Sequence, residues 1–156
     1  MPTETPTTRE IVSIDASATG ALAGRLAAVA RAGDVIALLG ELGAGKTVFA
    51  KGFGRGLGVT ATISSPSFVL MAEYEGRLPL FHLDLYRLEG AADALAGGLL
   101  DERQRDGVTL IEWAGRLAAI LPAARLEVEI DGAGDEPRRI LLRATDPSYR
   151  RYLEAA

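Results

Sequence analysis

The segment from Gly40 to Thr47, Gly-Glu-Leu-Gly-Ala-Gly-Lys-Thr, limits the possible folds of this chain more than any other feature. It matches the pattern G-x-x-x-x-G-K-[ST] at every fixed position. In a loop of this kind, glycines let successive backbone N–H groups turn toward phosphate oxygens, the lysine reaches the terminal phosphates, and the hydroxyl binds Mg²⁺. We therefore predict a site for a nucleoside triphosphate and its magnesium ion.

The residues on both sides of the loop support this prediction. Val35–Leu39 is an uninterrupted apolar run, which is typical of a buried parallel strand. Apolar residues recur at helical spacing from Val48 to Leu57, so the loop is expected to lead into a helix N-terminus, which favours anions. Only Lys46 and Lys51 are lysines among 17 basic residues. The chain thus places a compact positive charge where it suits a phosphate.

Length and composition indicate a single globular domain. We predict a flexible, Thr/Pro-rich tail at residues 1–10 and one domain at residues 11–156. The net charge of −4 argues against strong independent binding to nucleic acid. The chain has no cysteine, which excludes disulfides, thiolate metal sites and thiol nucleophiles. We see no signal peptide and no apolar stretch of membrane-spanning length, so a cytoplasmic protein is expected.

Hydrophobic periodicity predicts an α/β fold of the P-loop NTPase-like type. Its mixed β-sheet should have central parallel strands, flanking helices and antiparallel hairpins. Helices are predicted from Ser17 to near Gly33, after the phosphate loop, at residues 89–106 and at residues 116–121. Strands are predicted at residues 35–39, 68–74, 78–84, 108–111, 126–130 and 140–142, with hairpins joining the second to the third and the fifth to the sixth.

Two of these strands end in a carboxylate, Asp84 in one and Glu112 in the other. Nucleotide chemistry needs such an acid to hold Mg²⁺ or its waters. In open α/β sheets ligands bind at the carboxyl ends of parallel strands, where Glu112 lies if its strand runs beside the loop strand. The placement of Asp84 depends on the direction of its hairpin strand, which the sequence leaves open. A solvated carboxylate at a strand end is the alternative for both residues.

Three other features give weaker predictions. His82 is the only histidine and lies within a strand, so a structural role is favoured over a role as a base. Residues 97–105 are either a lid that brings arginines to the phosphates or, as the pattern favours, a solvated helix face. Arg138 lies at a hairpin turn, from which it either reaches a nucleotide or faces water.

Four short motifs follow one another in a fixed order along the chain. They are Gly40–Thr47, Ser65-Pro66-Ser67-Phe68, His82-Leu83-Asp84-Leu85-Tyr86-Arg87-Leu88 and Ile111-Glu112-Trp113. The loop alone is unspecific, but the four motifs together resemble the TsaE (YjeE) family. Its members are small bacterial P-loop ATPases of tRNA threonylcarbamoyladenosine synthesis. The resemblance extends from about residue 15 to residue 143.

This resemblance implies an ATP-binding and ATP-hydrolysing subunit that acts with the proteins TsaB and TsaD and meets tRNA only through their complex. It implies that Thr47 and Glu112 bind Mg²⁺, that Asp84 is needed for nucleotide use, and that the segment Asp15–Thr19 lies near adenine. With the loop pattern, it gives Lys46, Asp84 and Glu112 as catalytic residues. The predicted nucleotide-binding residues are Leu42, Gly43, Ala44, Gly45, Lys46, Thr47, Val48, Thr19 and Arg138.

The residues by themselves leave two other functions open. A small-molecule kinase would need a bound acceptor and an arginine lid, for which only residues 97–105 are a candidate. A nucleotide-dependent switch would bind ATP to stabilise a partner-binding shape without useful hydrolysis. The family motifs favour the ATPase of tRNA modification.

Replacing Lys46 with alanine should reduce ATP hydrolysis by roughly a hundredfold or more, because the loop loses a preorganised donor to the developing phosphate charge. The fold should survive, because a loop lysine of this kind points toward ligand. Phosphate release and thermal unfolding measure the two effects. A folded variant that hydrolyses ATP at the wild-type rate would remove the loop from the mechanism.

Overall fold

The computed structural model describes residues 7–40, 45–63, 71–84, 102–112 and 121–156. Seven strands lie within these ranges: β1 (Thr8–Ser13), β2 (Val35–Leu39), β3 (Met71–Tyr74), β4 (Leu80–Asp84), β5 (Val108–Glu112), β6 (Leu126–Asp131) and β7 (Arg138–Ala144). The helices are α1 (Ala16–Ala28), α2 (Lys46–Gly56) and α3 (Arg150–Ala155), with 3₁₀ turns at Glu102–Asp106 and Pro147–Tyr149. None of the described helices is both long and apolar enough to cross a membrane.

The strands form one mixed sheet in the order β1-β7-β6-β2-β5-β4-β3. Neighbours among β6, β2, β5 and β4 run parallel, and the remaining pairs are antiparallel. The predicted central parallel strands and both predicted hairpins, β3–β4 and β6–β7, are therefore confirmed. Because β4 runs parallel to β5, the direction that the sequence left open is also settled. Of the helix predicted at residues 89–106, residues 89–101 lie outside the described residues, and residues 102–106 form a 3₁₀ turn. Of the helix predicted at residues 116–121, only Leu121 is described, and it lies in a bend.

The main core lies between one face of the sheet and the helix pair α1 and α2. Alternate residues of the central strands point to this face, as the period of two requires. They pack against Leu22 and Leu26 of α1 and against Phe49 and Phe53 of α2, all of which are buried. Asp15 is the N-cap of α1, and its carboxylate accepts a hydrogen bond from the backbone N–H of Ala18 at 2.8 Å. This cap fixes where α1 starts.

The edge strand β1 was missed by the sequence analysis. The tail predicted for residues 1–10 was wrong at residues 8–10, since Thr8–Glu10 pair with Leu141–Arg143 of β7. The three residues are polar and exposed, so they carry no apolar alternation that predicts a strand. The Arg9 guanidinium also donates a hydrogen bond to the carbonyl oxygen of Leu153 at 2.7 Å, which joins β1 to α3.

The buried carboxylate of Asp34 connects helix α3 to the start of β2 through hydrogen bonds. Asp34 accepts hydrogen bonds from the Arg151 guanidinium and the Tyr152 hydroxyl, and the Tyr149 hydroxyl accepts one from the Val35 N–H at 2.8 Å. The Arg151 guanidinium lies 4.8 Å from the centre of the Tyr152 ring. Burial, and then the bond to Asp34, raise the pKa of the Tyr152 hydroxyl. Since Asp34 precedes β2, this cluster lies at the opposite end of that strand from the phosphate loop.

Helices α1 and α2 approach each other closely because glycines line their contact. A Cβ atom built on Gly52 would lie 2.4 Å from the carbonyl oxygen of Gly20 and 2.7 Å from its Cα atom. A Cβ atom on Gly56 would lie 2.8 Å from the carbonyl oxygen of Gly24. Because α2 begins with Lys46, this contact sets the position of the helix that follows the phosphate loop.

Replacing Gly52 with alanine should destabilise the fold by about 1–3 kcal/mol, because the new methyl group meets backbone atoms that cannot rotate away. Gly24→Ala is the matched control on the facing helix, since its Cβ would lie an ordinary 3.8 Å from the Gly52 carbonyl oxygen. The control should be neutral or stabilising, as alanine favours helix over glycine. Denaturant titration of both variants measures the change. Equal stability of the two would contradict the close packing.

Candidate active site at the carboxyl ends of three parallel strands

The three parallel strands β2, β5 and β4 have their carboxyl ends at the same edge of the sheet. In the register, Leu38 of β2 lies beside Glu112 of β5, and Asp84 of β4 lies on the other side of Glu112. Chain segments far apart in sequence thus place two carboxylates next to the strand that leads into the phosphate loop. The predicted position of Glu112 beside the loop strand is confirmed, and Asp84 shares that edge.

The phosphate loop joins β2 to α2 at the same edge. Gly45 is the N-cap of α2 and has φ of 111°, a conformation that glycine adopts without strain. Among the described residues, no atom lies within 4 Å of the position that a Cβ of Gly45 would take. Residues Leu42, Gly43 and Ala44, which were predicted to contact the nucleotide, lie outside the described residues. The described residues therefore leave the position beside Gly45, at the N-terminus of a helix, unfilled.

Lys46 is the first residue of α2, and only 6% of its surface is exposed. Its ammonium group donates a hydrogen bond to the carbonyl oxygen of Gly40 at 3.0 Å, so the side chain folds back across the loop. Burial lowers the pKa of this ammonium group, while the nearby charges of Glu112 and Asp84 oppose that shift. The structure thus brings together the three residues that were predicted to be catalytic.

Glu112 is buried, with 3% of its surface exposed. One carboxylate oxygen, Oε2, lies 3.1 Å from Nε2 of His82, which is itself fully buried. A buried carboxylate requires hydrogen-bond donors or a cation nearby. The sequence analysis favoured a structural role for His82, and it had no way to see this contact.

The oxygen groups at this edge suit Mg²⁺. Thr47, the second residue of α2, supplies a hydroxyl, and Glu112 and Asp84 supply carboxylates, which are the hard oxygen ligands that this ion prefers. The described residues include no cluster of three or more acidic, histidine or cysteine side chains able to hold a metal. Mg²⁺ in nucleotide sites is held by one or two protein oxygens together with phosphates and waters, so the residues present fit that ion.

A cavity of about 320 Å³ opens beside the loop. Three separate chain segments line it: the turn from β1 into α1, the start of α2, and the β6–β7 turn. Its lining residues are Ile14, Asp15, Ala16, Thr19, Gly45, Val48, Gly134, Asp135, Glu136 and Arg138. The predicted nucleotide-binding residues Thr19, Val48 and Arg138 thus share one cavity with Gly45 of the loop.

Two polar side chains that line the cavity form hydrogen bonds with other residues of this chain. The Thr19 hydroxyl lies 2.6 Å from the Ser13 hydroxyl, and Thr19 is buried, so it fixes the wall of the cavity. The Arg138 guanidinium donates a hydrogen bond to the carbonyl oxygen of Gly134 at 2.9 Å and another to that of Glu136. Arg138 therefore shapes the β6–β7 turn as well as lining the cavity.

The sequence analysis missed several lining residues, of which Ile14 is the clearest. Its surface is 72% exposed, and Val12 is the other large apolar residue that the described part of the chain leaves exposed. The apolar pair Ile11 and Val12 could have indicated the end of strand β1, although not the cavity. Asp135 and Glu136 reach the cavity only through the β6–β7 turn, whose position depends on the tertiary fold.

Comparison with known proteins decides which family has this arrangement. The family model for "Threonylcarbamoyl adenosine biosynthesis protein TsaE" matches residues 13–140. The chain belongs to the TsaE family. The resemblance noted in the sequence is thus confirmed over most of the chain.

Individual members of the TsaE family support the assignment. The tRNA threonylcarbamoyladenosine biosynthesis protein TsaE of Bacillus subtilis (strain 168) is 43% identical over 143 residues, which cover 91% of this chain and 89% of the relative. The protein of the same name from Treponema pallidum is 40% identical over 81% of this chain and 91% of its own length. The crystal structure of Bacillus subtilis YdiB superimposes with a TM-score of 0.81 at 38% identity, and covers 97% of this chain and 95% of that one.

Thr47→Ala and Glu112→Ala should each weaken nucleotide binding in the presence of Mg²⁺ more than binding without the metal. If both residues contact one ion, the losses in the double variant should be clearly non-additive. Calorimetric titration of the wild type, both single variants and the double variant with ATP, in Mg²⁺ or in chelator, measures these affinities. Glu129→Ala is the matched control, because this exposed glutamate of β6 pairs with Leu39 at the end of β2 but does not line the cavity beside the loop. Additive losses would mean that Glu112 binds no ion shared with Thr47.

Proposed function

We propose that this protein is an ATPase of tRNA threonylcarbamoyladenosine biosynthesis that acts with the TsaB–TsaD complex. Membership of the TsaE family supports the pathway, since the relatives carry that pathway in their names. The observation that carries the ATPase activity is the meeting of Lys46, Asp84 and Glu112 at one edge of the sheet. The protein is expected to be cytoplasmic, where tRNA is modified.

In this proposal the loop and Lys46 bind the phosphates. The N-terminus of α2 presents backbone N–H groups and the positive end of the helix dipole to the phosphate oxygens. The Lys46 ammonium group exchanges the Gly40 carbonyl oxygen for a terminal phosphate oxygen. Because the lysine is already buried and surrounded by fixed groups, its charge is preorganised where negative charge develops during phosphoryl transfer.

Thr47 and Glu112 are the proposed Mg²⁺ ligands, and Asp84 acts beside them. When bound, Mg²⁺ neutralises charge on the phosphate oxygens. Glu112 holds its carboxylate in a buried setting, where an opposite charge acts more strongly than in water. Asp84 is partly exposed and lies beside Glu112 in the register, so it is placed to orient the attacking water or a water bound to the ion.

The cavity of about 320 Å³ is the proposed seat of the nucleoside. It adjoins Gly45, so a base there remains connected to phosphates at the loop. Ile14, Ala16 and Val48 offer it apolar surface, while Asp15, Asp135 and Glu136 offer carboxylates. Carboxylates can accept hydrogen bonds from the exocyclic amine of adenine, but the amine and ring N–H of guanine would suit them as well. The choice of ATP therefore rests on the family and not on this lining.

A small-molecule kinase gains no support from the described residues. A second cavity, of about 150 Å³, is lined by Glu10, Glu129, Asp131, Arg139 and Leu141. It shares no residue with the nucleoside cavity and lies on the outer strands, so it offers no acceptor pocket beside Lys46. Residues 97–105 were favoured as a solvated helix face, with an arginine lid as the alternative. Residues 97–101 lie outside the described residues, and residues 102–105 are part of a 3₁₀ turn.

Partner proteins are proposed to complete the site. The formal net charge of −4 gives little attraction for tRNA, which a partner must therefore supply. A group added in trans can stabilise charge in phosphoryl transfer and raise the rate by orders of magnitude. We therefore expect slow ATP hydrolysis by the protein alone and faster hydrolysis when TsaB and TsaD are added.

The decisive experiment counts modified tRNA molecules per complex. TsaB, TsaD, the threonylcarbamoyl-adenylate synthase, unmodified tRNA, ATP, threonine and bicarbonate are combined with or without this protein. Several rounds of modification are expected with the wild-type chain, and Asp84→Ala should fail to support them. Asp131→Ala is the matched control, since this exposed aspartate ends the neighbouring strand β6 and lines the other cavity. Equal multiple-turnover yields with and without this protein would overturn the assignment.

A further inference from the structure

His82 is the chain's sole histidine, and none of its surface is exposed. It carries two ring nitrogens into a region that is otherwise core, beside Leu80 and Leu110, which are also fully buried. Burying polar nitrogen is unfavourable unless a hydrogen bond is gained. The contact of His82 with Glu112 therefore indicates a role beyond packing.

That contact is made possible by the register of β4 and β5. His82 pairs with Leu110, and Asp84 pairs with Glu112, so His82 and Glu112 are diagonal neighbours across two parallel strands. Residues 82, 84, 110 and 112 alternate onto the same face of the sheet. The diagonal brings Nε2 of His82 to 3.1 Å from Oε2 of Glu112.

The direction of this hydrogen bond follows from the surroundings. An ionised carboxylate only accepts, so the proton of the bond belongs to Nε2 of His82. The other ring nitrogen, Nδ1, is buried and has no hydrogen-bond partner in the described part of the chain. A proton on Nδ1 would be an unsatisfied buried donor, whereas a bare nitrogen there is the less costly state. The geometry favours the tautomer with its proton on Nε2.

The bond restricts how the Glu112 carboxylate can turn. The terminal torsion of a glutamate is broad, so a carboxylate without a partner samples many orientations. With Oε2 held by His82, the carboxylate plane is fixed and Oε1 is left for a cation. Residues that hold a metal-binding carboxylate in this way commonly change metal affinity by ten- to hundredfold when they are removed.

We propose that His82 is a positioning residue that orients Glu112 for the Mg²⁺–nucleotide complex. This inference rests on the proposed function, because it assigns His82 to the same metal site. It places His82 one step from the ion, acting through the carboxylate. A buried apolar residue would fill the same space but would leave Glu112 free to rotate.

Three variants separate positioning from packing. His82→Gln keeps an N–H group near the position of Nε2, His82→Asn keeps one near the position of Nδ1, and His82→Phe keeps a ring without a donor. Calorimetry measures ATP affinity with Mg²⁺ and with chelator for each. The increase in ATP affinity caused by Mg²⁺ should be about tenfold or more smaller in His82→Asn and His82→Phe than in the wild type. It should be largely restored in His82→Gln. Affinity without metal should change little.

A second measurement needs neither metal nor nucleotide. Because the chain has one histidine, ¹⁵N labelling of that residue gives ring signals that need no assignment. In the metal-free protein, the spectrum should show the proton on Nε2 and its slow exchange with water. Glu112→Ala should remove that protection, whereas Glu129→Ala, an exposed strand glutamate, should preserve it.

The outcomes distinguish failure of this inference from failure of the proposed function. If the wild-type protein gains no affinity from Mg²⁺, the proposed metal site fails and the role of His82 fails with it. If the wild type gains affinity and His82→Phe gains as much, the metal site stands and the positioning role is overturned. A proton on Nδ1, or ring signals that do not respond to Glu112→Ala, would also overturn the inference.

Discussion

The register of the parallel strands is the constraint on which the site depends. It places Glu112 between Leu38 and Asp84, so that the strand leading into the phosphate loop and two acidic strand ends meet at one edge. Lys46 enters the same space from α2 and is buried there, as is Glu112, while Asp84 is partly exposed. The edge therefore presents positive and negative groups side by side. A complex of a divalent cation with phosphates also carries charges of both signs. It therefore complements the charges at this edge better than the cation or the phosphates alone would.

The glycine contact between α1 and α2 connects the helix that follows the phosphate loop with the cavity beside it. Thr19 and Ala16 of α1 and Val48 of α2 line the same cavity, and the contact of Gly52 with Gly20 sets the distance between the two helices about one turn away. A larger residue at that contact would move one wall of the cavity relative to the loop. Close packing of this kind transmits small displacements, because a well-packed interior has little free volume to absorb them.

The sequence predicted the parts of this molecule that depend on local pattern. The loop, the apolar strands β2 and β5 and both hairpins could be inferred because period and turn residues are local signals. Asp84 and Glu112 were predicted as strand ends, but their meeting required the strand order, which depends on distant segments. The edge strand β1 was missed because Thr8–Glu10 are polar and are held by β7 and α3, which are distant in sequence. The His82–Glu112 bond arises from a diagonal register, which no single segment reveals.

The position of β2 in the sheet also has a consequence for synthesis of the chain. This strand pairs with β5 and β6, which are synthesised long after it. The start of β2 forms hydrogen bonds with Tyr149 and, through Asp34, with Arg151, both near the end of the chain. While the ribosome is still making the second half, the run Val35–Leu39 has no permanent neighbours. Such long-range pairing slows folding and leaves apolar strands exposed to aggregation. The strand that leads into the phosphate loop thus stays without its partner strands until β5 and β6 have been made.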